Sequence, residues 1–218
     1  MTDRDLAIWN ALFERVPDAW REAPPSEGML ACKRFLQEVG ARNVLDLGCG
    51  VGRYALFLAG HGFRVTGVDY APNAIRCCGQ WAEDAGVEAT FICGDISDTA
   101  LPGLAGQSFD AVVAALVLDN MSRARMACAV RAIAGYLRPR GHLFAVFNPV
   151  TIPEEGHDNP TQGITRVVYS DDDILQALPG FELLRREVYE MGTRGFLLRK
   201  AGGTATPGPE HPPERTEK

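Results

Sequence analysis

A chain of 218 residues, 46% hydrophobic and 23% charged, is sized for one globular domain with a substantial core. A formal charge of −6 and a pI near 5.3 argue against a polyanionic partner such as DNA or RNA. No apolar run reaches the length of a membrane span, and the charged start Met1-Thr2-Asp3-Arg4-Asp5 lacks the apolar centre of a signal peptide, so a cytoplasmic protein with no membrane partner is expected.

In chain order, Leu6, Trp9, Leu12 and Phe13 recur near helical spacing and predict an amphipathic helix over Asp3 to Arg15. Ala23-Pro24-Pro25-Ser26 breaks the chain, and Ser26 followed by Glu27 reads as the cap of a helix that runs to about Val39 and stops at Gly40. Residues 1–40 are therefore expected to form an N-terminal helical cap.

The stretch that follows organises the rest. Val44, Leu45 and Leu47 supply a strand buried on both faces, Gly48, Gly50 and Gly52 a tight turn with bare backbone, and a helix opens at about Tyr54. Such a turn at a helix N-terminus is a nucleotide-type site. The dinucleotide fingerprint would need glycine at position 53, which is Arg53, and Asp46 just before the turn would repel a pyrophosphate. A carboxylate there suits a ligand with an ammonium at one end and a nucleoside at the other. S-adenosylmethionine is such a ligand. Val65 to Asp69 reads as a second strand ending in an acid, at the offset of roughly 20 residues from the turn that a ribose-diol acceptor requires. Tyr70 is placed either to cover an adenine face or to rest on the sheet edge.

Pro72 opens a helix through about Asp84, and Val87 to Cys93 alternates into a third strand that leads to Gly94-Asp95-Ile96. Ser108 to Leu118 is a long apolar strand, with Leu116 to Met121 expected beneath the ligand because ligands of open α/β sheets lie beyond the C-terminal strand ends. Asp119 and Asn120 either orient an acceptor or start the helix over Ser122 to Leu137. A fifth strand, His142 to Phe147, leads into a long proline-bearing stretch over 148–169, expected to be a lid or a plain loop, in which His157, Arg166 and Tyr169 are polar candidates. Ser170 with Asp171, Asp172 and Asp173 reads as a helix cap with an acidic first turn rather than a metal site. Phe181 to Glu190 and Thr193 to Lys200 form a hairpin pattern with one antiparallel member, and residues 201–218 read as a disordered tail. The six cysteines follow no zinc spacing. Most are expected to be small buried hydrophobes, with a redox or soft-metalloid role for adjacent Cys77 and Cys78 the lesser alternative.

These segments together resemble the class I S-adenosylmethionine-dependent methyltransferases. The carrying residues are Leu45 to Arg53, Val68-Asp69, Gly94-Asp95-Ile96, Phe109 to Val113 and Leu137 to Leu143. A narrower likeness, to small tellurite-resistance and thiopurine-type enzymes, rests on Trp20, Pro25-Ser26, Tyr169-Ser170 and Phe181-Glu182. The resemblance implies an α/β fold with a doubly wound, mostly parallel seven-stranded sheet over residues 41–200. It also implies transfer of a methyl group from S-adenosylmethionine to a small-molecule acceptor: a thiol, metalloid oxyanion, hydroxyl or amine. Cofactor contacts are expected from Asp46, Gly48, Cys49, Gly50, Arg53, Asp69, Tyr70, Asp95, Ile96 and Leu116, with Asp95 accepting from the adenine amino group and Ile96 against the ring. Acceptor-side roles fall to Asp119, Tyr169 and Arg166, Trp9 or Trp20 is expected to line the pocket, and no metal is expected. A sensor that binds S-adenosylmethionine without turnover is the alternative, and an NAD-dependent oxidoreductase a weaker one.

Overall fold

The computed structural model describes residues 3–16, 18–98, 101–150 and 167–202. Apolar residues on both faces of the predicted strands require a sheet covered on both sides, and that is what forms. The strands are β1 Asn43–Leu47, β2 Arg64–Asp69, β3 Thr90–Cys93, β4 Phe109–Ala115, β5 Leu137–Phe147, β6 Phe181–Val188 and β7 Arg194–Lys200. They lie side by side in the order β3-β2-β1-β4-β5-β7-β6. The first five are parallel, and β7 inserts antiparallel between β5 and β6. The strand order reverses between β1 and β4, which opens a crevice at their C-terminal ends, where α/β sheets take ligands.

The helices are α1 Asp3–Leu12, α2 Asp18–Glu22, α3 Glu27–Glu38, α4 Arg53–Ala59, α5 Pro72–Ala85, α6 Arg123–Tyr136 and α7 Asp171–Ala177. Alternation within β4 sorts the two cores. Val112 and Ala114 join Leu45, Leu143, Phe196 and the buried face of α6, while Ala111 and Val113 join Val44, Phe144 and the α3 residues Cys32, Phe35 and Leu36. Predicted caps form as expected: the Ser26 hydroxyl accepts from Met29 N–H at 3.3 Å, and Ser170 and Asp173 make a reciprocal capping box.

β3 starts at Thr90 rather than Val87 and β6 ends at Val188 rather than Glu190, and two further boundaries differ from the sequence reading next to the crevice or in the β4–β5 register. β4 ends at Ala115 rather than Leu118, because Leu116 takes a left-handed φ of 55° and a 3-10 turn follows over Leu118–Asn120. β5 begins at Leu137, pairing with Phe109; the register then shifts so that Ala111 faces His142, with Arg140 left-handed in the extra residues. The short helix α2 has no counterpart in the sequence reading.

Beyond the sheet, Arg194 of β7 is buried. Its guanidinium donates to the carbonyls of Asn148 at 2.9 Å and Tyr169 at 2.8 Å, and pairs with Asp171 at 2.6 Å. Arg166, His157, the proposed lid between them and most of the expected tail lie outside the described residues. Among the described residues, no helix is long and apolar enough to cross a membrane.

Candidate active site

At the end of β1 the chain turns through Gly48, Gly50 and Gly52, all with positive φ, before α4 begins at Arg53. A Cβ on Gly48 would come within 2.3 Å of a Val117 methyl carbon, so only glycine lets the β1 and β4 loops close on each other. Gly50 N–H donates to Asp69 Oδ2 at 2.9 Å, and Ala71 N–H donates to Asp69 Oδ1 at 2.9 Å. The acid at the end of β2 is thus fixed under the turn. Burial raises its pKa, against those two N–H donors and that of Tyr70.

Over the turn lies a cavity of about 300 Å³, bounded by Asp46, Asp69, Tyr70 and Ile96 and by aromatic residues of the N-terminal helices. Asp46 is 2% exposed, and its Oδ2 is shielded from solvent without a hydrogen-bond partner. Burial pushes this carboxyl up to about 7; a backbone N–H at Ala55 opposes the rise, and the negative charge of Asp69 adds to it. An unsatisfied buried carboxylate oxygen in a cavity wall is costly unless a ligand supplies a donor or a cation. α1 closes one side. Trp9 stacks on Phe13 at 5.7 Å between ring centroids, and Phe13 lies over Gly50. Asn10 holds α1 to α5 through paired hydrogen bonds with Asn73, both 2.9 Å, and the Tyr70 hydroxyl donates to the Asp5 carbonyl at 3.3 Å.

Residues 44–141 match the family described as "Methyltransferase domain". The match covers a little under half of the chain, the part that holds the acid-flanked glycine turn and strands β1 to β4. Over that segment the chain is similar to methyltransferases. A ubiquinone biosynthesis O-methyltransferase of Methylobacterium sp. (strain 4-46) is 40% identical over 103 residues, which cover 47% of this chain and 39% of that protein. A 23S rRNA (uracil(747)-C(5))-methyltransferase of Vibrio vulnificus (strain YJ016) is 27% identical over 63% of this chain and 35% of its own. The chain thus spans less than half the length of these curated relatives. In fold it is similar to magnesium protoporphyrin IX methyltransferase from Synechocystis PCC 6803 solved with bound SAH, with a TM-score of 0.68 and 20% identity over 89% of this chain and 99% of that one.

Asp46, Gly48, Cys49, Gly50, Arg53, Asp69, Tyr70, Ile96 and Leu116 all line one cavity, together with both Trp9 and Trp20. Arg53 does so with its guanidinium already committed, donating to the carbonyls of Ala23 at 3.1 Å and Pro24 at 2.9 Å, so it anchors the N-terminal segment. Asp95 is outside the lining. Its carboxylate pairs with Arg125 at 2.5 Å and accepts from Ser97 N–H at 2.9 Å, the use of a turn-capping acid. Asp119 also faces away from the cavity, accepting from Asn148 N–H and Nδ2, both at 2.8 Å. Tyr169 is 1% exposed in the core against Phe147, with the Arg123 guanidinium 4.8 Å from its ring centre, and does not line the cavity. Adjacent Cys77 and Cys78 diverge, one thiol donating to the Phe13 carbonyl at 3.6 Å and the other to that of Gly50 at 3.2 Å. Val117 and Met121 lie in the stretch expected beneath the ligand, whereas Met29 of α3 and Tyr54 of α4 line the cavity without having been assigned to it from sequence. Helical periodicity marked some of these regions as buried, but nothing local shows that their apolar faces meet at a ligand.

Proposed function

We propose that this chain transfers a methyl group from S-adenosylmethionine to a small-molecule acceptor. The observation that carries the reading is the unpartnered Oδ2 of Asp46, buried in the wall of a cavity that also holds Asp69, Tyr70 and Ile96. These residues fit the donor. Asp46 would take its ammonium, Asp69 its ribose hydroxyls and the Tyr70 and Ile96 side chains its adenine faces, while bare backbone at Gly48 and Gly50 admits the chain between them. The donor brings a methyl on a sulfonium; transfer joins an acceptor lone pair to the methyl carbon as the carbon–sulfur bond breaks with its electron pair left on sulfur.

The protein's own work is then positioning and exclusion of water. Trp9, Phe13 and Trp20 wall the cavity with apolar surface, and the hydrogen bonds of Asn10 and Tyr70 hold α1 in place over it. A cavity of about 300 Å³ supports a small acceptor in preference to a folded nucleic acid, and the charge of −6 supports the same choice. The narrower likeness to tellurite-resistance and thiopurine-type enzymes points to a metalloid oxyanion or a thiol instead, the competing acceptor class in the panel below.

Calorimetry with S-adenosylhomocysteine and with NADH is the first test. Micromolar binding of the former and none of the latter is expected; tight NADH binding would overturn the reading. Labelled-methyl transfer to a panel of phenols, amines, thiols and metalloid anions is the second. Silence across that panel with cofactor binding retained would favour a non-catalytic sensor.

A further inference from the structure

Beside the turn, the loop after β4 presents a second polar atom without a partner. Asn120 lines the cavity, and its Nδ2 donates to the Leu116 carbonyl at 2.7 Å. That bond settles which way the carboxamide faces. Its Oδ1 is shielded from solvent and has no hydrogen-bond partner. The carbonyl that orients it belongs to the residue held left-handed at φ 55°, whose own N–H donates to Val146 at 2.8 Å and whose side chain is 41% exposed at the cavity. Strained backbone of this kind, fixed by a strand on one side and an amide on the other, is a recurrent feature of ligand clamps. Asp119, one residue before, is turned to Asn148 instead.

The walls that complete this cavity are apolar: Trp20, Met29, Val117 and Met121. The charges in it are the acids Asp46 and Asp69 and the committed guanidinium of Arg53. An anionic acceptor would meet the negative end of the Asn120 amide dipole and two carboxylates. A neutral one carrying an N–H or O–H would satisfy Oδ1. We propose that Asn120 determines acceptor choice, its Oδ1 accepting a hydrogen bond from an N–H or O–H on or beside the accepting atom of an uncharged, apolar or aromatic molecule. The inference rests on the cofactor reading above and narrows it to nitrogen and oxygen acceptors. The hydrogen bond turns the donor hydrogen toward Asn120 and leaves the acceptor's lone pair free to face the methyl; after transfer, the displaced proton leaves to water.

The test uses the full chain saturated with S-adenosylhomocysteine and matched probes that differ in one donor: indole against N-methylindole, and phenol against anisole. Binding is followed by ligand-observed NMR. The donor-bearing member should bind about tenfold tighter to the wild type, a difference of about 1.4 kcal/mol. In Asn120→Ala, and in Asn120→Ser, which keeps a hydroxyl near the Leu116 carbonyl, that preference should fall below about twofold while affinity for S-adenosylhomocysteine stays within about threefold. Equal binding of the matched probes by the wild type overturns the proposal, as does a preference that survives both substitutions, or tighter binding of selenite or thiophenolate than of phenol. Failure of the wild type to bind S-adenosylhomocysteine overturns the cofactor reading and this one with it. Intact cofactor binding without donor discrimination overturns this one alone.

Discussion

Asp46 is placed where folding and binding make opposite demands. Its carboxyl is pushed up to about 7, against about 4 in an unfolded chain, so between those values the folded state holds a proton that the unfolded state has lost. Stability of the free protein should therefore fall as pH rises from about 4 to about 7 and level off above, by on the order of 3–4 kcal/mol from this group alone. Binding of an ammonium needs the ionised form, so affinity for S-adenosylhomocysteine should rise from pH 6 to 8, approaching tenfold per unit below 7. Asp46→Asn separates the two: at pH 8 its ligand affinity should drop at least tenfold while its Tm without ligand rises by a few degrees, at about 2–4 °C per kcal/mol. Scanning calorimetry and titration on one preparation check both halves. Asp69→Ala has no such compensation. It strands the Gly50 and Ala71 N–H groups, so stability and cofactor affinity should fall together, each by about 1–3 kcal/mol. Both acids were legible in the sequence because each ends an apolar strand beside a turn, a purely local signal. Asp95 and Tyr169 were not, because what takes them out of the cavity is remote: Arg125 thirty residues beyond Asp95, and for Tyr169 a core built from β5 and β7.

At the scale of elements, the end of β4 is the informative departure. An unbroken apolar run from Ala111 to Leu118 contains no glycine or proline to stop a strand, and leucine is a poor left-handed residue, so nothing in the run marks Leu116 as the break. The break comes from tertiary context, through the Val146 carbonyl and the Asn120 amide on either side. A consequence is measurable. Leu116→Gly should be more stable than Leu116→Ala by about 1 kcal/mol, the reverse of the usual order within strands and helices, because only glycine relieves the left-handed strain. Chemical denaturation of the two variants decides it. α7 gives the opposite lesson, since Ser170 followed by three acids announced the helix and the capping box is present. Ser170→Ala should lower stability by about 1 kcal/mol. α2 escaped notice because five residues carry too short a pattern to register against noise.

For the whole molecule, the doubly wound sheet was readable because each parallel strand carries its own apolar run and the crossovers β1 to β2, β2 to β3 and β4 to β5 each carry a helix, and these local signals agree. What no local signal carries is which loops converge at the crevice between β1 and β4; that follows from the strand order alone. Arg194 is a second global feature of this kind. Its guanidinium reaches the carbonyls at 148 and 169 and the carboxylate at 171, so Arg194→Met should cost about 2–4 kcal/mol by leaving the two carbonyls unpaired while Asp171 keeps its pairing with Arg186, seen as a loss of Tm. One planar cation therefore grips the chain both where it departs from β5 and where it comes back before α7. An excursion whose two ends are pinned to the same side chain has its closure entropy largely settled by the scaffold, and that cost grows only slowly with length. The positions of residues 148 and 169 to 171 are thus set by a side chain of β7, and the register of the sheet does not depend on the length of chain that joins them.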